Sequence, residues 1–288
     1  MKMSNTQRGF TLIELLVVIA IIALLLGILT PALNKAKIGA QTLICATHLK
    51  NYGPALHLYS SENDDRAPFM VSWLFSQTTI ANAPAVTKGC MWHNDRDEPD
   101  GSLWPYLSSD DVHLCPVFKR NALRIGKEGC PNAAVHSMLT PFGPRYSYSM
   151  NWFLGFDWAT LLKVGDAEMF SSEISMKVSR VRNPGNCFSF SEENLWTILH
   201  RQEDRDQVYS NNVLNDNALW TNANKTKPDG ATDNLATYHN VSDSMRDEGK
   251  ANVIFVDGHT EAIKGAAGRN AYLEYARPYP GHENMNVW

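Results

Sequence analysis

The chain has 288 residues, a formal net charge of −4 and a pI near 6.1, with 19% of its residues charged. That balance gives a nucleic-acid surface no electrostatic support. No solenoid period or low-complexity tract is present, and the chain from about Arg66 onward is long enough to enclose a single core, for which eight Trp, ten Tyr and eleven Phe supply material.

The first element is an apolar run. From Phe10 to Leu29, Leu, Val, Ile and Ala fill the sequence without alternation, which excludes a half-buried strand and predicts a helix. Twenty residues at the helical rise span about 30 Å, the thickness of a bilayer's hydrocarbon core, and a helix satisfies its own backbone groups in lipid. Glu14 interrupts the run. A carboxylate at that depth costs a few kcal/mol (about 2.5–3.5 on insertion scales) and calls for a partner. An Ala-x-Ala secretory cleavage site is absent after the run. Lys2 and Arg8 precede the helix while Lys35 and Lys37 follow it, so the charge bias sets no orientation.

Gly9, then Phe10, Thr11, Leu12, Ile13 and Glu14 ahead of the apolar helix, resembles the processing site of type IV pilins and type II secretion pseudopilins. The resemblance implies a leader of residues 1–9, cleavage between Gly9 and Phe10 by a membrane prepilin peptidase, and N-methylation of Phe10. It also implies a cytoplasmic amino terminus, a single pass of the bacterial inner membrane and a body outside it. The new amine of Phe10 would then be a cation in the same apolar layer, where Glu14 of a neighbouring subunit neutralises it. Such a pair marks register more than it adds net stability. The implied partners are copies of the chain, related pilins or pseudopilins, the peptidase and the assembly platform.

The helix is expected to outlast the membrane. A membrane and assembly helix over 10–31 is followed by a continuation over 32–61, in which Cys45, Leu49, Tyr52, Leu56 and Tyr59 recur at helical spacing and form a face to pack on the body, 62–288. Pro31 is tolerable with a local kink. Pro54 cannot donate to the carbonyl of Lys50 and crowds it, so a bend is expected near Gly53-Pro54.

The segment from Cys45, CATHLKNYGPALHLYSSENDD, resembles the one that follows the membrane helix in a large pilin-like family of planctomycete and lentisphaera-type bacteria, with His48 in place of the family's Asn. Trp104-Pro105-Tyr106-Leu107 with Cys115-Pro116, Tyr146 to Asn151, and Asn252 to His259 extend the resemblance. The family's carboxy-terminal signature is a His, nine residues and Asp-Gly. Here the candidates are His239, Asp257 and Gly258, with seventeen residues between His239 and Asp257. Cys45 and Cys115 both fall in recurring family segments, which makes them the preferred bridge, and Cys90 with Cys130 is a second candidate pair. Some pseudopilins hold Ca2+ near the carboxy terminus, and Asp243, Asp247 and Asp257 are the candidate ligands here.

The later chain reads as strands. Val253 to Val256 is β-rich, Asp257-Gly258 reads as a two-residue turn, and His259 to Ile263 returns. After the turn signal Asn183-Pro184-Gly185, a strand around Cys187 to Phe190 joins the same sheet. A long helix first and strands late predict an α+β, pilin-like fold with an antiparallel sheet laid on the helix.

Chemistry is sparse. Five cysteines, at 45, 90, 115, 130 and 187, leave at least one thiol over or paired between chains, and neither CxxC nor a Cys/His ligand spacing supports zinc. His93 to Gly101 carries Asp95, Asp97 and Asp100, but the third Asp and the Gly each stand one place late for an EF-hand loop, so a solvated turn is the better reading. Glu192 and Glu193 are adjacent, and neighbours on a strand point to opposite faces. HExxH, GxSxG and a phosphate-cradling loop are absent, which argues against an enzyme. An alternative reading is a glycan-binding body, with Trp73, Trp92, Trp104 and Trp152 as stacking rings displayed by the helix.

Overall fold

The apolar run folds as the amino-terminal part of helix α1, Leu12–Lys50, and α2 follows at Tyr52–Glu62. The computed structural model describes residues 11–76, 78–79, 99–107, 109–125, 144, 146–157, 174–194, 218–219, 235–239, 241 and 249–264. The chain divides into two compact units, Met1–Ala40 and Gln41–Trp288. In the first, the most apolar window has a mean hydropathy of 3.2 and none of it is buried. Leu12, Leu24, Ile28 and Leu33 are each more than half exposed. Pro31 lies inside α1 without ending it, and the hydroxyl of Thr30 donates to the carbonyl of Leu26 at 2.7 Å.

The second unit begins with the last turns of α1. The helix breaks for one residue at Asn51, whose N–H turns back to the carbonyl of His48 at 3.1 Å, three residues before Pro54. The predicted helical face is buried throughout, with Cys45, Leu49, Tyr52 and Leu56 fully inaccessible. Tyr52 is its hub. Its ring lies 4.8 Å from Phe190, 5.5 Å from Tyr148 and 5.6 Å from Trp73, in tilted or edge-on contacts of the kind aromatic quadrupoles favour.

After α2 come two 3-10 turns, Trp104–Tyr106 and Asp110–His113, then helix α3, Pro116–Ile125. Strand β1, Tyr148–Asn151, leads directly into one helical turn, α4, Trp152–Gly155, capped by the Asn151 side chain accepting from the N–H of Phe153 at 3.0 Å. The remaining strands are β2, Phe188–Glu192; β3, Ala218–Leu219; β4, Lys250–Phe255; and β5, Thr260–Lys264. They form one sheet in the order β3-β1-β2-β4-β5. The α+β, pilin-like expectation holds, with one correction. The sheet is mixed, because β3 runs parallel to β1 through Met150 and Ala218, while the other three pairings are antiparallel.

β1 and β2 are buried along their whole length. On β2, Phe190 points to the helix and meets Tyr52 and Trp73, while Ser189, on the opposite face, donates to the carbonyl of Ile254 at 3.2 Å, where the β2–β4 register shifts. This alternation sends Glu192 toward the helix and Glu193 away from it.

The β4–β5 hairpin forms where expected, but its loop is not the two-residue turn. The N–H of Gly258 donates to the carbonyl of Phe255 and that of Phe255 to the carbonyl of His259, both at 2.9 Å, enclosing the three residues Val256, Asp257 and Gly258. A two-residue Asp-Gly turn needs positive φ at both positions, whereas only Gly258 has it, at 88°. The hairpin is a three-residue loop ending in a left-handed glycine. A Cβ at Gly258 would meet nothing within 4 Å, so Gly258→Ala tests backbone strain alone. The expected cost is about 1–2 kcal/mol, read as a shift in denaturant midpoint with unchanged slope.

Candidate functional site

The amino-terminal end of α1 is built by two side chains. Thr11 donates to Oε2 of Glu14 from both its backbone N–H and its hydroxyl, each at 2.8 Å, and its hydroxyl accepts the N–H of Glu14 at 3.2 Å. This is a reciprocal capping box that pairs amide groups a helix end leaves without intrahelical partners. Glu14 therefore has a structural role within its own chain. The signal was present: Thr11-Leu12-Ile13-Glu14 has the Thr-x-x-Glu spacing that precedes an apolar helix.

Residues 4–30 match the family model of the prokaryotic N-terminal methylation motif. That match supports a prepilin-type pilin or pseudopilin-like subunit, processed at its amino terminus. No curated protein and no solved structure matches the chain. The match brackets Gly9, Phe10 and Glu14, and with the apolar helix it fits a single-pass anchor in the inner membrane. The motif indicates a family of structural subunits.

A second constellation lies in the body, at the last turns of α1. Cys45 and Cys115 form a disulfide with Cα atoms 4.9 Å apart, closing a loop of sequence separation 70. Cys115 sits immediately before α3, where its carbonyl accepts the N–H of Lys119, and its own N–H donates to the hydroxyl of Ser147 at 2.7 Å. The Tyr148 hydroxyl donates to the carbonyl of Cys45 at 3.1 Å. Both half-cystines are thus held from β1 and its approach.

His239 closes over this bridge. Its Nε2 lies 2.8 Å from Oε1 of Glu192 and 3.6 Å from Sγ of Cys115, and its Nδ1 is 3.2 Å from the hydroxyl of Thr42 on α1. All these groups except Thr42 are buried. The backbone places the imidazole: His239 bridges to Lys250 at the start of β4, with N–H to O contacts of 3.0 and 3.3 Å. That close approach depends on Gly249, whose Cβ would stand 1.9 Å from the carbonyl oxygen of Thr237. The second oxygen of Glu192 accepts the N–H of Asn252 at 2.7 Å. Donor atoms of Cys45, Cys115, Glu192 and His239 all lie within 4.8 Å of one another. Sequence spacing had argued against a Cys/His set; four segments contribute here, so no local motif announces it.

The signature residues separate. His239 stands at the amino-terminal end of β4, and Asp257 and Gly258 follow its carboxy-terminal end, about 20 Å of strand away at 3.3 Å per residue. They share no site. Asp257 instead shapes the hairpin: Oδ1 accepts the backbone N–H of His259 at 3.1 Å and lies 2.6 Å from its Nδ1, and the imidazole stacks on Phe255 at 4.3 Å. Partial burial opposes ionisation of Asp257, but the hydrogen bonds and charge of His259 outweigh it and hold the carboxyl below its usual value.

Asp100 is likewise committed, with Oδ1 accepting the N–H of Ser76 at 2.7 Å and Oδ2 accepting the hydroxyl of Thr79 at 2.7 Å. The adjacent carboxylates diverge as their strand alternation requires: Glu192 meets His239, and Glu193 accepts the hydroxyl of Ser149 at 2.5 Å. Gly9, Phe10, Cys90, Cys130, Asp95, Asp97, Asp243, Asp247 and Trp92 lie outside the described residues. Cys187 is a buried thiol whose pKa burial pushes up to about 12.

The glycan alternative is not favoured. Trp73 is fully buried against Tyr52 and Phe190, Trp104 stacks on His113 at 5.6 Å, and Trp152 packs on Phe156. Trp73 belongs to the core, and Trp104 and Trp152 are half-buried, each against a neighbouring ring, so the three do not form one open stacking platform.

Proposed function

We propose that the chain is a structural subunit, cut between Gly9 and Phe10 by a prepilin peptidase and methylated on Phe10. It is held in the bacterial inner membrane by α1 with its body outside, and it assembles with copies of itself or related subunits into a type II secretion pseudopilus or a type IV-like pilus. The observation that carries this reading is the methylation motif over residues 4–30, whose part from Leu12 onward lies on a helix with exposed apolar side chains. A soluble body gives no reason to present so much contiguous apolar surface, whereas a membrane and then neighbouring helices would cover it. Glu14 serves twice in this scheme. In its own chain its Oε2 takes both Thr11 bonds, and in the filament the carboxylate compensates the Phe10 amine of a neighbour.

Mass spectrometry of the mature amino terminus tests the processing, with N-methylated Phe10 as the expected first residue and an intact Met1 as the result that overturns it. Glu14→Ala is expected to leave cleavage in place and to lower filament yield at least about tenfold, the factor that about 1.4 kcal/mol of lost contact supplies. Normal filaments from that variant would remove Glu14 from assembly.

A further inference from the structure

We propose that, with the Cys45–Cys115 bridge open, Cys45, Cys115, His239 and Glu192 form a zinc site, so that this corner of the body is closed either by a disulfide or by a metal. The inference stands on the body alone and does not rest on processing or filament assembly.

The donor set is the first argument. Two thiolates, an imidazole and a carboxylate are all ligands zinc takes in four-coordinate sites, and all four donors already lie within 4.8 Å of one another. With Zn–S near ~2.3 Å and Zn–N near ~2.05 Å, a tetrahedron places sulfur and nitrogen about 3.6 Å apart. His239 Nε2 and Cys115 Sγ stand at 3.6 Å. The same geometry puts the imidazole nitrogen and a carboxylate oxygen about 3.4 Å apart, against 2.8 Å between His239 and Glu192, so those two need to part by about 0.6 Å. The larger movement is the parting of the two sulfurs once their bond is gone.

The surroundings are the second argument. A metal-bound imidazole usually donates its other N–H to a fixed acceptor. With Nε2 on the metal, Nδ1 carries the proton and the hydroxyl of Thr42 stands 3.2 Å away to accept it. Glu192 is aimed by the N–H of Asn252 on its second oxygen, which leaves Oε1 toward the cluster. Ser147 and Tyr148 hold the two cysteine backbones. This outer shell supports both ligands and backbone, while the disulfide alone requires neither Glu192 nor His239.

The chemistry balances. A dithiol reductant attacks one sulfur, passes through a mixed disulfide and leaves as a cyclic disulfide, delivering two electrons and two protons and leaving Cys45 and Cys115 as thiols. Zinc then displaces both thiol protons to solvent as the Zn–S bonds form. A chain folded in a reducing cytoplasm starts in the dithiol form and needs no reduction.

The test uses the full chain in detergent, produced under reducing conditions with zinc and compared with the oxidised chain. One zinc per chain is expected by elemental analysis in the reduced protein and none in the oxidised one. Cobalt in place of zinc should give thiolate charge-transfer bands and the intense d–d absorption of a tetrahedral site. His239→Gln and Glu192→Gln keep hydrogen-bonding groups in place, and each should weaken zinc binding by more than tenfold while circular dichroism stays unchanged. Thr42→Val, which removes only the outer partner of His239, should weaken it about 10–100-fold. A reduced chain without stoichiometric zinc overturns the proposal. So does zinc bound equally well after both Gln substitutions, because the metal would then sit on other thiols.

Discussion

Replacing both Cys45 and Cys115 with alanine is expected to cost the oxidised chain about 4 kcal/mol, the value that the chain-entropy relation gives for a closed loop of sequence separation 70. The bridge ties the last turns of α1 to the start of α3, and the loop it closes contains all of α2 and both early 3-10 turns. In the unfolded chain that loop would otherwise roam, so most of the effect arises there and not from lost contacts. Both half-cystines are fully buried, and a double substitution avoids leaving one unmatched thiol inside. The measurement is urea unfolding of the body signal in oxidised wild type and in the double variant. Reduced wild type with a chelator should unfold near the double variant. A difference below about 1 kcal/mol between oxidised wild type and variant would show that the denatured chain retains this corner, which would defeat the entropic account.

The contrast between the helix and the site shows which features were legible beforehand. Cys45, Leu49, Tyr52, Leu56 and Tyr59 were readable as a buried face because helical periodicity is a local signal, and burial of one face enforces it. The β4–β5 hairpin was readable because Asp-Gly between β-rich runs marks a turn, yet its length was not. One positive φ or two distinguishes the three-residue from the two-residue loop, and both use the same dipeptide. β3 escaped notice because two residues, Ala218 and Leu219, carry no period, and their parallel pairing with β1 is decided by tertiary contact. The cluster at Cys45 escaped for a related reason. His239 reaches it because Gly249 lets two backbones approach, and that approach has no counterpart in residue spacing. The resemblance pointed to the correct disulfide and to a notable histidine, but it joined His239 to Asp257-Gly258, which β4 holds apart. The Thr11 and Glu14 box is legible too, because Thr-x-x-Glu ahead of an apolar run is the spacing of a capping box.

The body is expected to lose stability steeply on mild acidification, and His113 is the residue responsible. Burial pushes its pKa down to about 4, more than the Leu107 carbonyl and the charge of Asp110 restore, and the nearby His48 adds to the depression. The hydrogen bonds define why the neutral ring is preferred. Nε2 donates to the carbonyl of Leu107 at 2.9 Å, so Nδ1 is the acceptor for the Tyr52 hydroxyl at 2.6 Å. Burial raises the pKa of Tyr52 well above its ordinary value, so that hydroxyl remains a donor. A proton added at Nδ1 would set two donors against each other inside the aromatic cluster of Tyr52, Trp73 and Phe190. The unfolded imidazole titrates near ~6.5, so between that value and about 4 the unfolded chain binds more protons and stability falls as pH falls. The contribution is fully present above about 6.5, about 2 kcal/mol is gone by pH ~5, and the loss levels off near about 3 kcal/mol below pH ~4. Urea midpoints at a series of pH values measure it, and His113→Gln, which cannot titrate, should flatten the profile in that window. A variant that keeps the wild-type slope would assign the acid sensitivity to other groups and return His113 to an ordinary place in the core.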